Sequence, residues 1–92
     1  MERVLASPTM TASGLVGGAS SSSVYYGYTV TVVTATAAIN IRRGSVSGQI
    51  IDVIPSATAA GATKHLAHGL QCEGGIYFDI NGASGSVVIH YE

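Results

Sequence analysis

The stretch VYYGYTVTV, Val24 to Val32, alternates side-chain type residue by residue. A period of two places Val24, Tyr26, Tyr28, Val30 and Val32 on one face of a strand and Tyr25, Gly27, Thr29 and Thr31 on the other. β-Branched and aromatic residues fill it, as a pleated and half-buried surface favours. No segment repeats apolar residues at the spacing of an amphipathic helix. The alanine-rich run ATAAGATKHLAH, residues 57–68, is interrupted by Thr and Gly, so the chain is expected to be all-β.

The remaining runs read the same way. The doubled Val32-Val33 breaks the alternation and predicts a bulge or strand end near Thr34. AINIRRG turns Ile39 and Ile41 inward and Asn40 and Arg42 outward, and Gly44 ends it. In SGQIIDVIP, Ile51 and Val53 share one face while Ile50, Asp52 and Ile54 share the other, and Pro55 stops the strand. Both faces are substantially apolar there, which fits either a central strand or an intermolecular contact. TKHLAHGL is read as a strand. GIYFDI sends Ile76, Phe78 and Ile80 inward and Tyr77 and Asp79 outward; the final run sets Val87, Ile89 and Tyr91 against Val88 and His90. Between these last two runs, Asn81-Gly82 and Gly85 supply residues that tolerate positive φ and predict a closing β-hairpin. Turn signals about every ten residues predict a small antiparallel β-sandwich or jelly roll. Residues 1–23, with short apolar pieces among Ser, Thr, Gly and Pro8, read as an extended N-terminal arm or edge segment, and residues 24–92 as the sandwich domain.

Composition enters because such a domain has a thin core. A chain of 92 residues buries only roughly two-thirds of its unfolded surface. Yet 47% of the residues are hydrophobic, 10% are charged and the mean hydropathy is +0.40, against about 25% charged in ordinary domains. Part of the surface is therefore expected to be covered by a partner or by copies of the chain. The net charge is −1, and the four basic residues Arg3, Arg42, Arg43 and Lys64 are scattered, which argues against nucleic acid as a partner. The single cysteine, Cys72, excludes an intramolecular disulfide framework. No run reaches the length of a transmembrane helix, and MERVLASPTMTASG lacks the apolar run of a signal peptide. The expectation is synthesis in a cytosol-like compartment, with no membrane partner.

Candidate chemistry is sparse. His65, His68 and Cys72 form H-x2-H-x3-C, donor types that bind zinc, but residues three apart on a strand point to opposite faces, so the reading preferred is loop or interface histidines. A nucleophilic set of Cys72, His68 or His90, and Asp79 can be written, without a local motif to support it. Cys72 reads better as a small, partly buried hydrophobe. Asp52 and Asp79 fall at outward-reading positions and are taken as solvated or ion-paired near Arg42 or Arg43. The glycine clusters lack the lysine and helix of a phosphate loop and are read as turns. Of the five tyrosines, Tyr26, Tyr28 and Tyr91 share faces with aliphatic residues, leaving Tyr25 and Tyr77 as the side chains an alternative carbohydrate-binding or host-surface module would use. The reading is a non-enzymatic protein without a cofactor or metal.

AINIRRG, the Gly/Ala-rich loop, L-x2-G-x-Y-F-D-I-N-G and the terminal SVVIHYE together resemble small structural proteins of tailed bacteriophages, and among these the capsid decoration, or cement, proteins. The resemblance covers about residues 24–92. It implies a β-sandwich or jelly-roll module, often trimeric, seated on the outer capsid where major capsid proteins meet, with an N-terminal arm touching the shell. On that implication the expected capsid contacts are Arg3, Val4, Leu5 and Met10, the expected oligomer contacts are Ile50, Ile54, Tyr25 and Val88, and the protein belongs to the virion surface. Placement in the tail or collar is the alternative within the same class.

Overall fold

The structure is a computed structural model and describes residues 5–16 and 23–92. Eight strands follow in order: β1 (Leu5–Ala6), β2 (Gly14–Val16), β3 (Ser23–Ala35), β4 (Ile39–Arg43), β5 (Ile50–Ile54), β6 (Thr63–Cys72), β7 (Ile76–Asp79) and β8 (Ser84–Tyr91). They form two four-stranded antiparallel sheets, β1-β8-β3-β6 and β2-β7-β4-β5, called here sheet A and sheet B. The pairs β1/β8, β2/β7, β3/β6 and β4/β5 nest as in one long hairpin rolled up, with β8/β3 and β7/β4 joining the turns of the roll. That is the jelly-roll order.

The core lies between the sheets. From sheet A come Tyr25, Tyr28, Val30, Cys72, Val87 and Ile89, and from sheet B Val16, Ile39, Ile41, Ile54, Ile76 and Phe78. Ile39, Ile41, Ile76, Phe78, Val87 and Ile89 are inward as alternation requires.

The structure departs from the sequence expectations at the last turn and in the first half of β3. The Asn81-Gly82 segment does turn with positive φ, 53° and 75°, but β7 and β8 belong to different sheets, so it is a connection across the sandwich and not a hairpin. Turn chemistry sets where the chain reverses; the sheet a strand joins is set by which partners bury its apolar face. In β3, a bulge between Tyr25 and Gly27 inserts Tyr26 on one side of the ladder and residues 66–69 on the other. The bulge shifts the alternation by one, so Tyr25 and Tyr28 both point inward. The irregularity expected near Thr34 is present: register shifts between Val30 and Val32 and between Val32 and Ala35 bury Thr34, whose hydroxyl donates to the Pro55 carbonyl at 2.9 Å, and turn Val33 and, against its expected face, Val32 to solvent.

The N-terminal stretch is built into the sandwich where it is described. Leu5 and Ala6 pair with Tyr91 and His90, the Ser7 amide donates to the Ile89 carbonyl at 2.8 Å, and Met10 bridges Val87. Val16 is a core residue paired through β2 with Ile76. Leu5 and Met10 are therefore held along β8, Leu5 exposed and Met10 half-buried, instead of extending from the domain. Arg3, Val4 and most of the GGASSSS segment lie outside the described residues.

Candidate interaction face and edge clasp

The outer face of sheet B follows from register. Phe78 and Ile41 point inward, so their neighbours Tyr77 and Arg42 point out, and the pairings Leu15↔Tyr77, Tyr77↔Arg42 and Arg42↔Ile50 form one row across all four strands. The next row is Asp79, Asn40 and Val53. Ile50 and Val53 are each 43% exposed. Arg42 donates from Nε to Asp79 Oδ2 at 2.9 Å and from a terminal nitrogen to the Gly48 carbonyl at 2.9 Å. The charges of Arg42 and Asp79 thus neutralise one another, and the rest of the two rows is Leu15, Tyr77, Ile50 and Val53 with the Asn40 amide among them.

Ile50 and Val53 share this face because of a second bulge. Ile41 pairs with Asp52 and Arg42 with Ile50, which leaves Ile51 as the extra residue, packed against the core. Asp52 and Ile54 do share a face, but it is the inner one. Ile54 is fully buried and cannot line an oligomer contact on the folded domain. Asp52 is ion-paired, one of its two expected states, but it turns inward where an outward side chain was expected, and its partner is Lys64 and not Arg42 or Arg43. It stands in the row of Ile41 with its side chain 9% exposed.

Three donors hold Asp52. Tyr25 Oη donates to Oδ2 at 2.7 Å, Lys64 Nζ donates to Oδ1 at 2.8 Å, and the Val53 amide donates to Oδ1 at 2.8 Å. Tyr25 and Lys64 come from sheet A and Asp52 from sheet B, so the group is a clasp between the edge strands β5 and β6. Tyr25 is fully buried and belongs neither to an oligomer contact nor to a sugar-stacking surface, which corrects both expectations. Burial, and then the bond to Asp52, push its hydroxyl far above the usual tyrosine range. Burial also raises Tyr28, with Asp52 adding to the rise and Lys64 opposing it.

These shifts predict an alkaline limit. A tyrosine whose folded pKa is raised contributes stability that is complete below its unfolded value, here 10.0, and lost as pH rises above it. Urea midpoints are expected to be level with respect to this group up to about pH 10. Above that, stability should fall by about 1.4 kcal/mol per pH unit for Tyr25, with a smaller share from Tyr28. Tyr25→Phe should lower the slope, and an unchanged slope would show that the clasp tyrosine ionises freely.

The other singled-out residues do not converge. His65 is on the outer face opposite Gly27, whereas Cys72 is fully buried in the core. Burial pushes the Cys72 thiol up against the opposing pull of Arg43. His90 Nε2 lies 2.8 Å from Thr29 Oγ1, which in turn is 2.9 Å from Thr63 Oγ1, a polar ladder across the outer face of sheet A beside the half-buried Val88. Among the described residues no three His, Cys, Asp or Glu side chains come together. Asp79 is engaged by Arg42, as the ion-paired reading expected.

No protein-family model, no curated protein and no solved structure matches this chain.

Proposed function

We propose that the chain is a non-enzymatic assembly module of a virion, a capsid decoration protein that binds across the joints between major capsid subunits as a small closed oligomer, a trimer being the leading form. The observation that carries this reading is the outer face of sheet B. Leu15, Tyr77, Arg42 and Ile50 cross it in one row with Val53 alongside, and the Arg42–Asp79 pair neutralises its charge. A surface that mixes exposed aliphatic side chains with a tyrosine, an arginine and neutralised charge is what protein contacts use. The jelly roll is an architecture common in viral shells, and that analogy adds to the resemblance noted in the sequence. Burial across subunit joints is multiplied by oligomer valency, so each contact can be weak while the shell is held firmly.

The test is co-sedimentation of the purified protein with shells assembled from the major capsid protein of the same virus. Saturable binding at a fixed ratio is expected, and it should be lost in Tyr77→Ala/Ile50→Ser while that variant keeps its cooperative melt. Absence of sedimentation, or binding unaffected by the double variant, would overturn the assignment of this face.

A further inference from the structure

We propose that β5 is an edge capable of pairing with β5 of a second copy of this chain, and that the Tyr25–Asp52–Lys64 clasp keeps that edge closed in the folded protein. The strand has what edge pairing needs. Its sequence, Ile50-Ile51-Asp52-Val53-Ile54, is β-branched apart from Asp52 and contains no proline or glycine. Ile50 and Val53 present apolar side chains on one exposed face, and an antiparallel copy laid alongside would add its own Ile50 and Val53 to that face. The occupant is a second copy because this strand is self-complementary in an antiparallel sense, and because the face it would extend carries no uncompensated charge that would repel its own image.

Asp52 is the exception in this strand, and its bonds account for it. One oxygen takes the Val53 amide, a donor on the edge side that an incoming strand would need. The same oxygen binds Lys64, and the other takes Tyr25 from the facing sheet. A second strand could pair only by displacing the carboxylate from the Val53 amide and by removing solvent from the Lys64 ammonium, whose side chain is 44% exposed. Inward charges, edge lysines and bulges are the devices that keep sheet edges from meeting; β5 carries an inward charge in Asp52 and a bulge at Ile51, and Lys64 reaches it from the edge strand β6 of the facing sheet. An apolar side chain at position 52 would fit the row of Ile41 and Phe78 without such partners, so the polar group serves selectivity at the edge.

The experiment compares solution mass by light scattering, across a dilution series, for the wild type and for Tyr25→Phe/Asp52→Val/Lys64→Met. The apolar replacement is expected to keep a cooperative melt, because the largely buried Asp52 and Tyr25 lose their polar groups together and neither leaves the other unpartnered. Its mass should be roughly doubled or more relative to whatever species the wild type forms. Adding Val53→Pro, which removes the edge amide, should return the mass to the wild-type value. Asp52→Asn, which changes the charge and almost no volume, is expected to shift the mass in the same direction to a smaller extent. A folded triple variant or a folded Asp52→Asn variant with the wild-type mass overturns the proposal, as does association that Val53→Pro fails to suppress.

Discussion

Gly27→Ala is expected to remove much of the stability of this domain. Gly27 sits at the β3 bulge with φ of 126°, and a Cβ there would overlap the backbone carbonyl of Lys64 on β6. The conformation alone costs roughly 1–3 kcal/mol for an L side chain. Moving β6 away from β3 adds about 1–3 kcal/mol of packing strain, since the clash is with backbone and not with a flexible side-chain end. Against a total of about 5–15 kcal/mol for small domains, the variant should have a sharply lowered urea midpoint or no cooperative transition. A midpoint within about 0.5 kcal/mol of wild type, the range of ordinary surface changes, would mean that the bulge is not built as described. The consequence extends to the clasp, because the same bulge turns Tyr25 inward to meet Asp52.

The second large effect lies in the opposite sheet. Phe78 is fully buried at the centre of sheet B, paired with Gly14 on one side and Ile41 on the other. Phe78→Ala is expected to cost about 3–5 kcal/mol, combining lost transfer energy and the cavity left behind. Phe78→Leu, which keeps most of the volume, should cost less than about 1.5 kcal/mol. Thermal melts of the pair check this. Equal losses would show that the position is sensitive to aromatic shape and not to filled volume.

Residues 2–20 bear on both the fold and the capsid-contact expectation. As a free arm they could be deleted without harm to the domain. In the structure, Ser7 and Met10 bond to β8 and Val16 fills the core, so removing this stretch strips an edge from each sheet. Any loss of binding in such a deletion reports on the sandwich as well as on the segment. Substitutions on the outer face of sheet B avoid that confusion.

Much of the sandwich was readable one strand at a time. Alternation assigned Ile39, Ile41, Ile76, Phe78, Val87 and Ile89 to the core because a regular strand repeats every two residues whatever it is packed against. It failed where the count of residues across a ladder changes. The bulges at Tyr26 and Ile51 shift all later side chains by one position, and nothing in VYYGY or QIIDVI marks which residue is the extra one. The irregularity beside Val32 was legible because two consecutive valines cannot both keep the period.

The candidate site was harder to read for the same reason. Tyr25 and Asp52 lie 27 residues apart, on strands of different sheets, and each was assigned to the wrong side of its strand by a rule that assumes no bulge. Alternation offers Asp52 only partners from the neighbouring strand of its own sheet, Arg42 and Arg43, whereas Lys64 reaches it from the facing sheet. Arg42 instead met Asp79 across adjacent strands of one sheet, a pairing that alternation places on a common face.

By itself the sequence determined that the chain is all-β, where the strands β3 to β8 lie and where the chain turns between them, because these depend on local backbone freedom and on the two-residue repeat. The tertiary structure decided the jelly-roll order, the crossing of the Asn81-Gly82 turn from one sheet to the other, and the inward turn of Asp52 and Tyr25. Those outcomes depend on which apolar faces cover one another and on where a ladder gains a residue, and such long-range terms leave no local mark in the chain.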